Sequence, residues 1–332
     1  MRVARYVFVN LVAATVVVSA VVWSRPSASA SPPSLPPPTV SQFDARWMGL
    51  VPNQPQGWEE RNRRINSDFQ QFNLRPANET ELPQRCNGCA PWTVTLTANA
   101  PGKFDPTEAA HTGQPVTVNA DNDGFFRVDQ ATSEATLTWP YADNAWATVH
   151  GRTSTTIDLD RMIELAHALQ PDERTPIRLP MSLANVPAIM PLAEINIDKS
   201  EYGTTLSFGP CGRTAVGGAG QCTADTESLG VHIWPDDGYD GHFGEESAVP
   251  MKIGGKDGLY DDDRNDGGDH AAVQVQPGML VVFDFGLPGP HYAGVPGQPE
   301  PSFSLKDVLA GVEWAPDPGN QATWRPVSDW AK

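Results

Sequence analysis

Positively charged side chains are scarce in this sequence of 332 residues. Lysine and arginine together number 23, against 40 aspartates and glutamates, and the formal net charge is −17. A surface of this sign repels the phosphate backbone of nucleic acids. We therefore exclude nucleic acid as a partner, whereas cationic partners and divalent metal ions remain compatible with the charge.

Motifs of common enzyme chemistry are also lacking. The sequence has no G-x-S-x-G segment of the kind that presents the nucleophile of a serine hydrolase. The stretch GGAG at residues 217–220 has neither the lysine nor the helix of a phosphate-binding loop. The sequence therefore assigns no catalytic residue and no bound cofactor, and it favours a non-enzymatic protein. An envelope hydrolase, which needs converging carboxylates or a histidine–carboxylate pair, is the third alternative.

Cysteine occurs only four times, as Cys86, Cys89, Cys211 and Cys222. In an exported protein, an oxidising compartment favours their pairing in disulfides. Three pairings are possible. We favour the local one, in which Cys86 pairs with Cys89 and Cys211 with Cys222, because the loop between the last two is rich in glycine. Zinc is a poor alternative because the sequence contains only one C-x-x-C pair.

Long apolar segments are limited to one, at the N-terminus. Residues 6–23 carry no charge, and as a helix they would be about 27 Å long, close to the ~30 Å hydrocarbon core of a bilayer. Arg2 and Arg5 precede this segment, so residues 1–5 are expected in the cytoplasm and the rest of the chain outside it. We predict a single-pass membrane anchor at residues 6–23.

A cleaved signal peptide is the alternative for the same segment. Ala28 and Ala30 are arranged as the A-x-A site of a signal peptidase, and cleavage after Ala30 would give a secreted protein. Residues 24–41 form a proline-rich linker, and residues 42–332 form the extracytoplasmic domain. Both alternatives place this domain outside the cytoplasm.

Turn-forming residues are abundant, with 32 prolines and 29 glycines, which favours short strands joined by turns. From residue 91 onwards, β-branched and apolar side chains alternate with polar ones, as in WTVTLTA at residues 92–98. This alternation predicts strands in an antiparallel arrangement. Two of these segments form a predicted hairpin that sets Trp139 and Trp146 on a shared face.

Two segments have the apolar spacing of helices, residues 158–169 and 304–315. Asp158 and Ser304 are suited to cap their first turns. Residues 58–74 also show a loosely helical spacing of apolar residues. The predicted fold class is therefore α+β, with antiparallel sheets that are each backed by a helix.

The two helical segments belong to stretches that align without gaps, residues 156–180 and 302–326. We predict two related strand–strand–helix units, at about residues 91–180 and 186–327. Chance similarity between two amphipathic helices is the alternative explanation. Residues 235–270 are acidic and rich in glycine, and we interpret them as an insertion between strands.

The first unit resembles a known group of proteins. In residues 116–151 a strand ends at a glycine turn, and a tryptophan-bearing strand, a hairpin and an aromatic strand follow before a capped helix. Together with the lead-in segment 41–58, this order resembles the small exported modules of Gram-positive, actinobacterial-type membrane-anchored proteins that are linked to extracytoplasmic sigma and anti-sigma factors. The resemblance covers about half of the chain and carries over no catalytic residue.

The resemblance implies a non-enzymatic extracytoplasmic domain with a sensory or partner-binding role in envelope signalling. Residues 1–5 are too few to hold a sigma-binding domain. Any signal would therefore pass through another envelope protein. Ten tryptophans are present, and besides core packing they could form an aromatic platform for a glycan. The alternative function is a binding module for cell-wall glycan or one that depends on calcium.

The acidic segment contains the best candidate metal site. Three oxygen-bearing residues have the spacing of the first ligands of an EF-hand calcium loop: Asp261, Asp263 and Asn265. The glycine expected next is replaced by Asp266 and the closing glutamate by Ala272, so the EF-hand is incomplete. The segment is therefore either a solvated acidic loop or a calcium loop of another type. His242 and His270 lie among the same acids but match no hydrolase signature.

Overall fold

The computed structural model describes residues 43–44, 46, 50–52, 57–77, 94–119, 122–152, 158–171, 175–198, 203–209, 227–234, 248–261, 268–286 and 303–330. The predicted anchor, the linker and all four cysteines lie outside these residues, and the statements about them stay predictions. Within the described ranges, no helix combines the length and the apolar character that crossing a membrane requires.

Twenty strands and three α-helices lie in the described ranges. The strands are β1 (Leu50–Pro52), β2 (Trp58–Asn66), β3 (Phe69–Pro76), β4 (Val94–Asn99), β5 (Gln114–Asn119), β6 (Asn122–Asp129), β7 (Glu134–Ala142), β8 (Ala145–Arg152), β9 (Leu169–Pro171), β10 (Arg178–Leu179), β11 (Met181–Leu183), β12 (Leu192–Asp198), β13 (Thr204–Phe208), β14 (Ser228–Trp234), β15 (Val249–Ile253), β16 (Lys256–Asp261), β17 (Gly268–Gln276), β18 (Met279–Gly286), β19 (Val312–Trp314) and β20 (Arg325–Pro326). The helices are α1 (Thr107–Thr112), α2 (Leu159–Ala168) and α3 (Leu305–Ala310).

Fourteen of these strands form one antiparallel sheet, in the order β15-β16-β17-β18-β14-β13-β12-β2-β3-β4-β8-β7-β6-β5. Three further pairs, β1 with β9, β10 with β20 and β11 with β19, are also antiparallel. The predicted antiparallel arrangement is confirmed. The helices are short, however, and the described part of the chain is mainly β. The α+β class therefore overstates the share of helix.

The large sheet consists of two halves with the same strand order. From the centre outwards, the first half runs β2-β3-β4-β8-β7-β6-β5 and the second half runs β12-β13-β14-β18-β17-β16-β15. The halves meet where β2 pairs with β12, with Arg64 opposite Asn196. In each half a helix follows the last strand in the chain, α2 after β8 and α3 after β18. The first half thus includes β2 and β3, which precede the first predicted unit.

Two glycines at equivalent places show that the halves also share a packing constraint. A Cβ on Gly124 in β6 would lie 2.7 Å from the carbonyl oxygen of Thr138, and one on Gly258 in β16 would lie 2.6 Å from that of Ala272. Contacts this short are not tolerated, so only glycine fits where these backbones approach each other.

The core lies on one face of the sheet, under α2 and α3. Strands alternate their side chains between the two faces, and the largest fully buried side chains include Phe72, Phe283 and Phe285. The helices add buried apolar side chains to the same cluster, Met162, Leu165 and Ala166 from α2 and Leu305, Val308 and Leu309 from α3. Burial of each large apolar side chain contributes about 1.5–3 kcal/mol.

Both predicted helix caps are present. The Asp158 side chain accepts a hydrogen bond from the backbone N–H of Arg161, and that of Ser304 accepts one from Lys306. The second helix is shorter than predicted. Gly311 ends it, and the chain continues as β19, which pairs with β11.

The helix predicted at residues 58–74 is wrong, because this segment is the β2–β3 hairpin. Asn66 is buried, and its side-chain oxygen accepts hydrogen bonds of 2.8 Å from the backbone N–H groups of both Asp68 and Phe69. Such a side chain stabilises a turn in place of a helix. The turn separates Ile65 from Phe69 and Phe72, whose spacing had suggested a helix.

The acidic segment 235–270 is not simply an insertion between strands. Its described residues form β15, β16 and the start of β17, which belong to the second half of the sheet. Ile253 and Tyr260 from this segment are buried in the core. These strands lie at or near the sheet edge, where outward positions need no apolar side chains. The acidic and glycine-rich composition therefore obscures the alternation of apolar and polar residues. Residues 235–247 and 262–267 lie outside the described ranges.

Trp139 and Trp146 lie on opposite faces of the sheet, so the prediction of a shared face is wrong. In the β7–β8 hairpin Trp139 lies opposite Ala147, and Trp146 lies opposite Pro140. Trp139 is buried in the core, whereas Trp146 is half-buried on the other side. A difference of one residue in register moves a side chain to the other face of a sheet.

The two edges of the large sheet are β5 and β15. Each of these strands has proline as its second residue, Pro115 in β5 and Pro250 in β15. Pro115 lies opposite Phe125, and Pro250 lies opposite Leu259. Proline has no backbone N–H and is compatible with a sheet chiefly at its edge.

Candidate functional site

The candidate site lies on the polar face of the sheet, which we define as the face opposite the core. In the first half, β6, β7 and β8 form two rows of side chains across this face. Paired residues place Phe125 beside Thr138 and Thr148 in one row. The second row contains Arg127, Thr136 and His150.

An open pocket of about 270 Å³ lies over these two rows. Helix α1 and the segment before it form one wall, and the strands form the floor. The lining residues are Phe104, Asp105, Glu108, Ala109, Phe125, Arg127, Thr136, Thr138, Thr148 and His150. The pocket therefore combines two phenyl rings, three hydroxyl groups, an imidazole and three charged groups.

The charged groups of the pocket have partners within the protein. Arg127 Nη1 lies 2.9 Å from Glu108 Oε1, so that this ion pair connects β6 to α1. Both side chains are exposed, and the pair contributes little to stability. Asp105 Oδ1 accepts a hydrogen bond of 2.9 Å from the backbone N–H of Thr107. The side-chain hydroxyl of Thr107, and then this backbone bond, lower the pKa of Asp105.

The aromatic rings and the Thr148 hydroxyl group remain to contact a ligand, because Thr138 is only 2% exposed. The Phe125 ring is stacked against Trp146, with centroids 6.3 Å apart and an angle of 20° between the planes. His150 Nδ1 lies 3.0 Å from Thr136 Oγ1, which holds the imidazole at the pocket floor. The arrangement can bind a small molecule that has an apolar face and hydrogen-bonding edges.

The second half carries a different constellation on the same face. Thr205 Oγ1 lies 3.2 Å from His232 Nδ1, and His232 Nε2 lies 3.1 Å from Asp284 Oδ2. The other oxygen of Asp284 lies 2.8 Å from His270 Nδ1. Because an ionised carboxylate can only accept, both imidazoles donate to Asp284. Four strands, β13, β14, β18 and β17, are thereby connected through side chains.

The hydrogen bonds of this row shift the pKa values of Asp284 and His270. Burial alone would raise the pKa of Asp284, but the hydrogen bonds from His232 and His270 outweigh burial and hold the pKa well below its usual range. The hydrogen bond to Asp284 raises the pKa of His270. The negative charges of Asp284, Asp261 and Asp269 add to this effect, and burial opposes it. The row therefore favours an ionised Asp284 and a protonated His270.

The candidate calcium ligands are only partly described. Asp261 lies at the end of β16, where it is buried and pairs with His270 across the strands. Asp263, Asn265 and His242 lie outside the described residues. Among the residues that are described, no group of three or more histidine, cysteine or acidic side chains is placed to hold a metal ion. The calcium site stays a prediction.

Sequence reasoning missed most of the residues on the polar face. His232 and Asp284 lie at polar positions of the alternating segments GVHIW and VVFDF. This alternation indicates only that their side chains lie on the face opposite the core. Their meeting depends on β14 pairing with β18, two strands separated along the chain by three others. The pocket depends in the same way on α1, whose six residues are too few for a recognisable period.

Comparisons of this chain with protein-family models, with curated proteins and with solved structures found no match. The resemblance to exported modules of sigma and anti-sigma systems therefore stays a prediction.

Proposed function

We propose that this chain is a membrane-anchored, non-enzymatic binding protein that presents residues 42–332 on the outer side of the cell membrane. Residues 6–23 serve as the anchor and residues 24–41 as the spacer. The domain recognises a small component of the cell envelope. Its two halves derive from duplication of one seven-stranded unit. Each half is followed by a helix that packs on the core.

The observation that carries this proposal is the pocket between α1 and the floor of β6–β8. Pockets for drug-sized ligands have volumes of about 300–1,000 Å³, so that the 270 Å³ of this pocket suits a ligand of modest size. A binding role also agrees with the paired state of the charged groups in the pocket. Arg127 is engaged by Glu108, so this guanidinium is held within the protein.

A signalling role follows from the topology of the proposal. In this proposal, ligand binding outside the cell is passed on through a second membrane protein. This second protein distinguishes the domain with a ligand in the pocket from the domain with an empty pocket. The predicted envelope partner is therefore a protein of the same membrane.

The proposal is tested by ligand screening of the full-length chain in detergent, with small envelope components and a change in melting temperature as the readout. Binding to this pocket is expected to disappear in Phe125→Ala. The matched control is Leu259→Ala, because Leu259 occupies the equivalent position in the second half and is 42% exposed. Binding that is lost equally in both variants, or in neither, would place the ligand elsewhere and refute the role of the pocket.

Membrane attachment needs a separate test. In cell fractionation, the full-length chain is expected in the membrane pellet after alkaline extraction, and protease added outside the cells is expected to digest the domain. Recovery of a shortened chain in the medium would establish cleavage after Ala30 and refute the anchor.

A further inference from the structure

The charges in the pocket indicate what kind of ligand it does not bind. Arg127 and Glu108 form an ion pair at 2.9 Å, and Asp105 accepts from the backbone N–H of Thr107. A strongly ionic ligand would have to break one of these interactions. An anionic ligand bound to Arg127 would also lie close to the negative charge of Glu108. A cationic ligand bound to Glu108 would lie close to the positive charge of Arg127. The pocket therefore favours a neutral ligand.

The remaining groups favour a ligand with many hydroxyls and one apolar face. Thr136 and Thr148 line the floor beside His150, whereas Thr138, the third threonine of the floor, is only 2% exposed. A threonine hydroxyl both donates and accepts, and a neutral imidazole also has one nitrogen of each kind. Phe125 borders the pocket while Trp146 supports it through ring stacking. An aromatic ring held in this way offers a flat apolar surface next to the hydroxyl groups.

We propose that this pocket binds one ring of a neutral sugar, with the C–H face of the sugar against Phe125 and its hydroxyl groups hydrogen-bonded to Thr148 and His150. This inference rests on the proposed function, because it names the ligand of the same pocket. The natural source is a glycan of the cell wall, which an exported and anchored domain faces.

The residues in the second half of the sheet predict that each chain has one sugar site. The position equivalent to Phe125 holds Leu259, and those equivalent to Thr138 and Thr148 hold Ala272 and Val282. These equivalences follow from the pairing, because Leu259 lies opposite Ala272 and Ala272 opposite Val282, as Phe125, Thr138 and Thr148 follow one another in the first half. The aromatic ring and both hydroxyl groups are thus missing there, and no sugar site is expected in that half.

The test is titration of the full-length chain with N-acetylglucosamine and its linear trimer, in a detergent whose headgroup is not a sugar. Saturation-transfer NMR measures which ligand protons contact the protein, and calorimetry measures stoichiometry. We expect one site per chain, with a dissociation constant of about 0.1–1 mM. The strongest saturation is expected on the ring C–H protons of the sugar.

Two substitutions distinguish stacking from hydrogen bonding. Phe125→Ala is expected to weaken sugar binding by at least about tenfold, and Phe125→Tyr is expected to preserve it. Thr148→Val keeps the shape but removes a hydroxyl, and a loss of about three- to tenfold is expected. Val282→Thr, the reverse exchange at the equivalent position of the second half, serves as the control and is expected to leave the affinity unchanged.

The outcomes separate this inference from the proposed function. If neutral sugars fail to bind while a sugar phosphate or an amino acid binds in a manner that depends on Phe125, the sugar assignment is wrong and the pocket keeps its binding role. If none of these molecules binds in a Phe125-dependent manner, both are wrong. Two sugar sites per chain, or equal effects of Thr148→Val and Val282→Thr, would also contradict the inference.

Discussion

Replacement of Asp284 by asparagine tests the row of side chains that connects four strands of the second half. The carboxylate accepts a hydrogen bond from His232 on one oxygen and from His270 on the other. In Asp284→Asn one of these oxygens becomes an amide group that can only donate, so one imidazole loses its acceptor. The negative charge that favours both bonds is lost as well.

The expected loss of stability is about 1–2 kcal/mol, because one bond is lost and the other is weakened. A hydrogen bond to a charged group contributes about 1.5–3 kcal/mol when it is well shielded. The Asp284 side chain is 35% exposed, and solvent screening lowers each of the two bonds to about 1 kcal/mol. We expect urea unfolding of the full-length chain, followed by tryptophan fluorescence, to show this difference at pH 5.5. The control Asp257→Asn removes a carboxylate that is 91% exposed, and a change below about 0.5 kcal/mol is expected.

The difference between wild type and Asp284→Asn is expected to depend on pH in two directions. Because folding lowers the pKa of Asp284, its contribution is present above the unfolded pKa of about 3.9 and is lost as the pH falls through the folded value. Because folding raises the pKa of His270, its contribution is present below about 6.5 and is lost as the pH rises through the folded value. The difference is therefore largest between about pH 4 and 6.5.

Two results would refute this reasoning. Equal unfolding free energies of wild type and Asp284→Asn at pH 5.5 would mean that the row contributes nothing. A difference that keeps growing up to pH 9 would mean that protonation of His270 opposes the folded state.

Three further predictions concern the turns, the close approaches and the metal. Alanine in place of Gly124 or Gly258 is expected to lower the unfolding free energy by about 1–3 kcal/mol in urea titrations, because the added Cβ would meet a carbonyl oxygen within 2.7 Å; wild-type stability would contradict the constraint. Asn66→Ala is expected to cost about 1–3 kcal/mol, since two backbone N–H groups lose their acceptor, while Ser67→Ala should cost less than about 0.5 kcal/mol. Calcium at 100 times its dissociation constant would stabilise the fold by about 2.7 kcal/mol. Calcium but not magnesium is therefore expected to raise the melting temperature, and Asp261→Asn is expected to abolish this rise. A calorimetric titration that shows no heat of calcium binding would refute the calcium site.

The sequence allowed good predictions where a pattern is local and continuous. Strand β8 alternates without interruption, with Ala147 and Val149 directed to the core, and α2 shows both its cap at Asp158 and its apolar stripe. Patterns failed where a turn lies inside them. Ile65, Phe69 and Phe72 have the spacing of a helix, but the side chain of Asn66 forms a turn between the first and the second.

Prediction also failed where the relevant information is not local. The acidic composition around β15 and β16 belongs to strands near an edge, whose outward positions need no apolar side chains. The contact between Asp284 and the two histidines requires the register of β14, β17 and β18 to be known. A hairpin's register follows from its turn, but the pairing of β14 with β18 closes a long loop that nothing in the local sequence specifies.

The prolines at the sheet edges have a consequence for how copies of this protein meet. The two edges are equivalent, and an antiparallel sheet that ends in two equivalent edges could add another copy at each end, and so grow into a continuous ribbon. Pro115 and Pro250 each remove a backbone N–H that an added strand would need. A proline at the same position of both edge strands therefore blocks the addition of another copy at either edge. If the proposed anchor holds many copies on one membrane, these copies would not join through their sheet edges.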